Sequence, residues 1–171
     1  GITVFESDKK VSKEEVEHAL LRFSGEIEQL PPMYSAIKVN GKKLYEYARE
    51  GVEIEIKPRK VTISKIELID FNFEKQTAQI YIECSKGTYI RSIANDLGNF
   101  LECGGYLYRL IRNKAGKFDI ENSIKMEDFI NIEFIKKNLI NPIDMLNLEK
   151  YELNEVECQK IQHGQPLLNK S

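Results

Sequence analysis

Histidine and cysteine are scarce in this chain: His18, His163, Cys84, Cys103 and Cys158 are scattered over 171 residues. An odd number of widely spaced cysteines offers no disulfide framework, and with so few histidines there is no metal-ligand cluster. No apolar run approaches the roughly 20 residues that a membrane-spanning helix needs, and no signal-peptide pattern opens the chain. A dominant charge is missing too. The formal net charge of −2 lacks the basic excess that usually accompanies nonspecific nucleic-acid binding. These absences lead to the expectation of a soluble, reduced, cytoplasmic protein with no metal and no membrane partner.

What is present suffices for one sizeable core with a small appendage: 42% of residues are hydrophobic and 30% charged. The near-neutral average hides an asymmetry. Residues 1–30 are rich in Glu, whereas Tyr106 to Phe118 carries Arg109, Arg112, Lys114 and Lys117 with no acid. Lys38 to Arg49 carries Lys38, Lys42, Lys43 and Arg49 against Glu46 alone. Both basic stretches contain tyrosines, and positive charge mixed with stacking surface suits RNA. The first residue is Gly1 and the chain ends in Pro166-Leu-Leu-Asn-Lys-Ser171, which suggests a piece cut from a longer protein.

The chain is organised around Thr77 to Gly98. Ala78, Ile80 and Ile82 alternate with mostly polar residues, the period of a half-buried strand. Gly87 allows a tight turn, Thr88 is the expected N-cap, and Ile90, Ile93, Ala94, Leu97 and Leu101 form one apolar helix stripe. Lys86, Tyr89 and Arg91 then cluster at a helix N-terminus, where unpaired amides and the macrodipole favour a phosphate or a carboxylate. The residues of this stretch alone favour the plainer reading, a solvated Arg91 and a rim Tyr89.

Upstream, a strand is expected at Ile2 to Phe5. Ser12 to Glu15 is a capping box opening a helix with Val16, Ala19, Leu20 and Phe23 inward, stopped by Gly25. Glu26 to Gly51 is broken by Pro31-Pro32, turned at Asn40-Gly41 and rich in Tyr and Lys. It reads either as an arm that packs on a partner or as a hairpin and a short helix, Lys43 to Arg49, serving the core. Val52 to Ile56 and Arg59 to Phe71 read as strands, joined at Pro58 and forming a meander with Thr77 to Cys84. A strand or turn pair is expected over Tyr106 to Phe118, and a helix over Lys125 to Lys137 with Met126, Phe129, Ile130 and Phe134 inward. Asn141-Pro-Ile-Asp144 marks a boundary. A small unit follows from Tyr151, with Asn154 and Glu157 as cap and N3 residue, Val156 and Ile161 inward, and His163-Gly164 closing it. The fold class expected is α+β, a mainly antiparallel sheet with flanking helices.

Two stretches taken together, Pro31-Pro-Met-Tyr-Ser-Ala-Ile-Lys-Val-Asn-Gly-Lys-Lys-Leu-Tyr-Glu-Tyr-Ala-Arg-Glu-Gly51 and Cys84-Ser-Lys-Gly-Thr-Tyr-Ile-Arg-Ser-Ile-Ala-Asn-Asp-Leu-Gly98, resemble the TruB type of tRNA pseudouridine synthase. Leu110, Arg112 and Gly116-Lys-Phe118 resemble that family's next motif, and Tyr151 to Leu168 the opening of its PUA-like domain. The resemblance implies a cofactor-free and metal-free isomerase converting uridine 55 of the tRNA T-loop to pseudouridine. It also implies the T-arm of tRNA as partner, with no obligate protein partner evident. An aspartate attacks the flipped-out nucleoside, and the detached uracil rejoins through C5. By resemblance, Arg91 pairs with that aspartate, Tyr89 lines the same pocket and Leu110 packs on the base. Lys38, Lys42, Lys43 and Tyr45, on a thumb-like segment of about 26–51, would face RNA with Lys86, Arg109 and Arg112. The thumb resembles the bacterial form rather than that of the guide-RNA-dependent branch. Residues 1–146 would belong to the catalytic domain and 147–171 to the start of the PUA-like domain.

One departure is decisive for chemistry. The family's nucleophile motif, glycine and an apolar residue before Leu-Asp, a small residue and glycine, occurs nowhere in this chain, and Asp96-Leu97-Gly98 lies inside the helix after Arg91. The family tyrosine that stacks on the target base, which like that motif would lie upstream of these residues, is absent as well. The expectation is therefore a fragment that begins downstream of that motif and is inert alone. Two other classes remain: an RNA-binding module without chemistry, and a domain docking an acidic protein.

Overall fold

The structure, a computed structural model, describes residues 5–146, 148–149 and 151–167. Most of the strand expected at Ile2 to Phe5 lies outside these residues, and Phe5 itself is neither helix nor strand. The chain divides into two compact units, residues 1–110 and 111–171. The fold is α+β, as the pattern of strands and segregated helices predicts.

In the first unit, helix α1 (Lys13–Leu20) starts at the expected capping box: Ser12 Oγ accepts from Glu15 N and Glu15 Oε2 accepts from Ser12 N. A three-residue 3₁₀ turn follows, and Gly25, at φ +87°, then leads into strand β1 (Gly25–Gln29). Strands β4 (Arg59–Asn72) and β5 (Thr77–Cys84) complete an antiparallel sheet of order β1-β4-β5. The segment read as an excursion from Glu26 thus opens as a sheet strand, with Ile27 opposite Val61 and Gln29 opposite Arg59. What leaves the sheet is 30–58. It contains a two-residue ladder, β2 (Lys38–Val39) with β3 (Lys42–Lys43), and helix α2 (Leu44–Glu50), ended by Gly51 in the left-handed region.

The strand expected at Val52 to Ile56 does not form: residues 52–58 are neither helix nor strand. Alternating side chains describe one face of a segment and say nothing of whether a hydrogen-bonding neighbour exists, and β4 already has β1 on one side and β5 on the other.

Fourteen residues of β4 cannot keep a single alternation against this core, and the strand changes phase twice. The register slips between Ile63 and Lys65 and again between Leu68 and Asp70. Each irregularity moves the apolar set by one residue. Val61 and Ile63 are buried, Ile66, Leu68 and Phe71 pack on the core, and Ile69, between the two sets, is 56% exposed. The partners on β5 follow: Ile82 faces Ile66, Ile80 faces Leu68 and Ala78 faces Phe71.

Helix α3 (Ile90–Phe100) carries the expected stripe, with Ile93 and Leu97 buried. Val11, Val16, Ala19, Leu20 and Leu97 form one core cluster joining α1, α3 and the sheet. The β4–β5 turn is fastened to this core by a side chain: Gln76 Oε1 accepts from Val11 N at 2.9 Å and its Nε2 donates to Val11 O at 3.2 Å.

The second unit has no buried residue among those described. The expected turn pair is reduced to β6 (Lys114–Ala115) and β7 (Phe118–Asp119) around Gly116, at φ +61°. The helix expected over Lys125 to Lys137 is split into a 3₁₀ segment, Met126–Ile130, and helix α4 (Ile132–Lys137). Asn131 causes the break, because its side chain caps α4 by accepting from Phe134 N at 3.0 Å. Met126, Phe129, Ile130 and Phe134 are exposed and not inward. Helix α5 (Pro142–Met145) has Asn141 as cap, and α6 (Glu155–Gln162) has the expected Asn154–Glu157 capping box. Val156 and Ile161 of α6, expected inward, are also exposed.

Among the described glycines, Gly98 leaves the least room for a side chain. A Cβ there would lie 2.2 Å from Gly104 C and Gly105 N, and Gly98 O accepts from both Cys103 N and Gly104 N. Gly98→Ala is expected to destabilise the chain by about 3 kcal/mol, since backbone and not a movable side chain must yield. Gly41→Ala, where only the left-handed φ of +80° is strained and nothing lies within 4 Å, should cost roughly 1 kcal/mol. Urea unfolding followed by far-UV circular dichroism measures both, and equal costs would remove the packing argument.

Candidate nucleic-acid interface and active-site face

Strand β5 hands the chain to α3 through Ser85 to Tyr89. The expected N-cap, Thr88, does not cap: its Oγ1 donates to Ser85 O at 2.9 Å and closes the turn. The N-cap is Tyr89, extended at φ −101° and ψ 107°, with no capping side chain. The turn is fixed instead from outside the helix. Gln29, at the end of β1 and 2% exposed, accepts from Tyr89 N at 2.7 Å and donates through Nε2 to Tyr89 O at 3.0 Å.

Two further bonds join the same segments. Ser92 Oγ donates to Leu30 O at 2.9 Å, and an Arg91 guanidinium nitrogen donates to Tyr34 O, also at 2.9 Å. The arm leaving the sheet after Gln29 is therefore stitched to the first turn of α3. Arg91 is exposed, with only this bond to a carbonyl, and it pairs with no carboxylate among the described residues. A guanidinium has five N–H donors, so most of its fork is available to an anion.

Lys86 stands exposed in the turn before Tyr89. Leu110, Arg109 and Arg112 lie in 104–113, which has no helix or strand; all three are exposed, Leu110 by 54%. Leu110 is not brought to Arg91 by any bond between the described residues. Gathered around the β1–α3 junction are Tyr89 and Arg91, with Lys86 next to them in sequence.

On the insertion, the lysines and tyrosines partner one another. Lys42 is ion-paired with Glu50 and lies 4.9 Å from the centre of the Tyr47 ring. Lys43 Nζ donates to the Tyr45 hydroxyl at 3.2 Å, the main cause holding the Lys43 pKa above the usual lysine value, with the nearby Glu46 carboxylate adding to it. Arg49 lies 5.3 Å from the Tyr45 ring, so Tyr45 is held among cations, while Lys38 is exposed on β2. Leu44, fully buried, anchors this cluster.

Sequence reasoning passed over Gln29 and Ser92, and it named Arg49 only as a member of the basic stretch. Gln29 had a signal: it shares the inward phase of Ile27, and a polar side chain on a buried strand face must find partners. Ser92 had none, because its acceptor is a carbonyl 62 residues away in the chain. Among the described residues no group of His, Cys, Asp or Glu is arranged to hold a metal ion, and no helix is long and apolar enough to cross a membrane.

The chain is similar to named bacterial proteins and to solved structures. The tRNA pseudouridine synthase B of Clostridium kluyveri is 50% identical over 134 residues, which is 78% of this chain and 45% of that protein. That of Chromobacterium violaceum is 42% identical over 170 residues, 98% of this chain and 55% of that protein. The chain thus spans about half the length of these curated relatives. In three dimensions it matches a chain of a Cbf5-Nop10-Gar1 complex at TM-score 0.59 and 23% identity, over 77% of this chain and 35% of that one, which establishes a shared fold. The family model for the N-terminal domain of TruB family pseudouridylate synthases matches residues 1–90, from before α1 through the turn into α3, and the chain belongs to that family.

Proposed function

We propose that this chain is the RNA-clamping and arginine-bearing part of a tRNA pseudouridine synthase that isomerises uridine 55 in the T-loop. The observation that carries the reading is Arg91: a guanidinium held by one carbonyl at the start of α3, its remaining donors open on an exposed face. A carboxylate placed there would be kept ionised and fixed in direction by a charge-assisted, two-pronged contact. That is what an attacking aspartate requires. The aspartate itself is outside this sequence, which has no Leu-Asp motif of the family type.

In this reading the flipped uridine lies beside Tyr89 and Leu110, and the 30–58 insertion closes on the T-arm with Lys38, Lys42, Lys43 and Tyr45, helped by Lys86, Arg109 and Arg112. Residues 1–146 belong to the catalytic domain and 147–171 open a PUA-like domain. No cofactor is used, and the working compartment is the cytoplasm, where tRNA is found. The relatives named tRNA pseudouridine synthase B support the substrate class.

Three outcomes are expected. The purified 171-residue chain forms no pseudouridine on a T-arm hairpin yet binds it, as read by nucleoside analysis and fluorescence anisotropy; robust product would contradict the missing-nucleophile assignment. In an extended protein holding the aspartate, Arg91→Ala lowers turnover by about a thousandfold and RNA affinity only a few-fold, because the guanidinium acts at the reacting centre. Equal reductions in both would assign Arg91 to a phosphate instead. Replacing Lys42 and Lys43 by Ala weakens binding and lowers the slope of log affinity against log salt by about one for each phosphate no longer neutralised; an unchanged slope removes them from the interface.

A further inference from the structure

Gln29 occupies the last inward position of β1 at 2% exposure, where an apolar residue would be the ordinary choice. Its amide meets the backbone of Tyr89 as one strand residue meets another, accepting from the N–H and donating to the C=O. The pairing is made by a side chain between segments 60 residues apart, at the N-cap residue of α3. The helix has no capping side chain of its own.

We infer that Gln29 is a positioning residue for the reaction, holding Tyr89 and, two residues on, Arg91, and tying their placement to the RNA-binding insertion. The inference rests on the proposed role of Arg91. Its geometry is continuous: Gln29 precedes the arm 30–34, Ser92 holds Leu30 O and Arg91 holds Tyr34 O, so every cross-bond runs between the arm and residues 89–92. Any displacement of the insertion by bound RNA is passed to the first turn of α3 through these bonds. Removing the amide would free the turn while leaving α3 packed through Ile93 and Leu97.

The test uses Gln29→Leu, similar in size and unable to make either bond, and Gln29→Glu, which keeps the acceptor and lacks the donor while ionised. In the 171-residue chain, hydrogen exchange at the amides of residues 89–93 should quicken about tenfold or more in Gln29→Leu, while β4 and β5 keep their protection. Uniform quickening would make Gln29 a general stability residue and overturn the inference. In the extended protein holding the aspartate, kcat on a T-arm hairpin should fall by about ten- to a hundredfold with KM changed less than about threefold, the pattern of a misplaced catalytic group. Parental kcat, or a deficit recovered by lowering the temperature, would overturn it.

Gln29→Glu adds a readout that does not depend on the leucine variant folding. A buried carboxyl takes up its proton above the usual range, and the protonated form regains an O–H donor for Tyr89 O. The kcat of this variant relative to the parent should therefore rise as pH falls, and a flat ratio at reduced activity counts against positioning. The two readings fail separately. If Arg91→Ala leaves turnover intact, the functional assignment falls; if it abolishes turnover while Gln29→Leu does not reduce it, only the role of Gln29 falls.

Discussion

The site depends on one buried amide. Gln29 joins the end of β1 to both backbone groups of Tyr89, the residue at which the turn from Ser85 enters α3, and the Ser92–Leu30 and Arg91–Tyr34 bonds continue the same seam. A buried polar side chain is costly unless its groups are paired, and here both groups of the amide are paired with both groups of one residue. The constraint therefore specifies a single geometry. Together with the Ser92 and Arg91 bonds it joins the first turn of α3 to the start of the insertion.

The insertion is organised by electrostatics more than by a core. Leu44 is fully buried in it, and around that residue Lys42, Lys43 and Arg49 face Tyr47, Tyr45 and Glu50. These half-exposed pairs are individually weak and screened by salt. A polyanion can replace Glu50 as the partner of Lys42 at little cost, so a surface that is internally satisfied without RNA can still be an RNA surface. Lys60 and Glu26, by contrast, pair with each other across β1 and β4 at exposed positions of the sheet.

Much of the first unit was legible because its signals are local. The Ser12 capping box, the alternation of Thr77 to Cys84 and the stripe from Ile90 to Leu101 each depend on residues a few positions apart, and each appears where the pattern puts it. The failures were of another kind. Val52 to Ile56 alternates like a strand and has no neighbour, Thr88 has the chemistry of a cap but closes the preceding turn, and Asn131 splits an amphipathic pattern because it caps better than it continues a helix. In the second unit, periodicity predicted inward faces that the described residues leave exposed, since period tells which side chains agree with one another and not whether anything covers them.

The sequence by itself determined the α+β class, the family, the basic and aromatic character of the insertion and the candidacy of Arg91, because these reside in residue types and short spacings. Only the tertiary structure decided that β1 is part of the sheet, that β4 changes phase twice to keep its apolar residues inward, and that Gln29, Leu30 and Tyr34 grip the start of α3 from some 60 residues away. The physical reason is that hydrogen bonds between distant segments are satisfied by whatever group the packing brings within about 3 Å. A linear pattern carries the need for a partner but not its address.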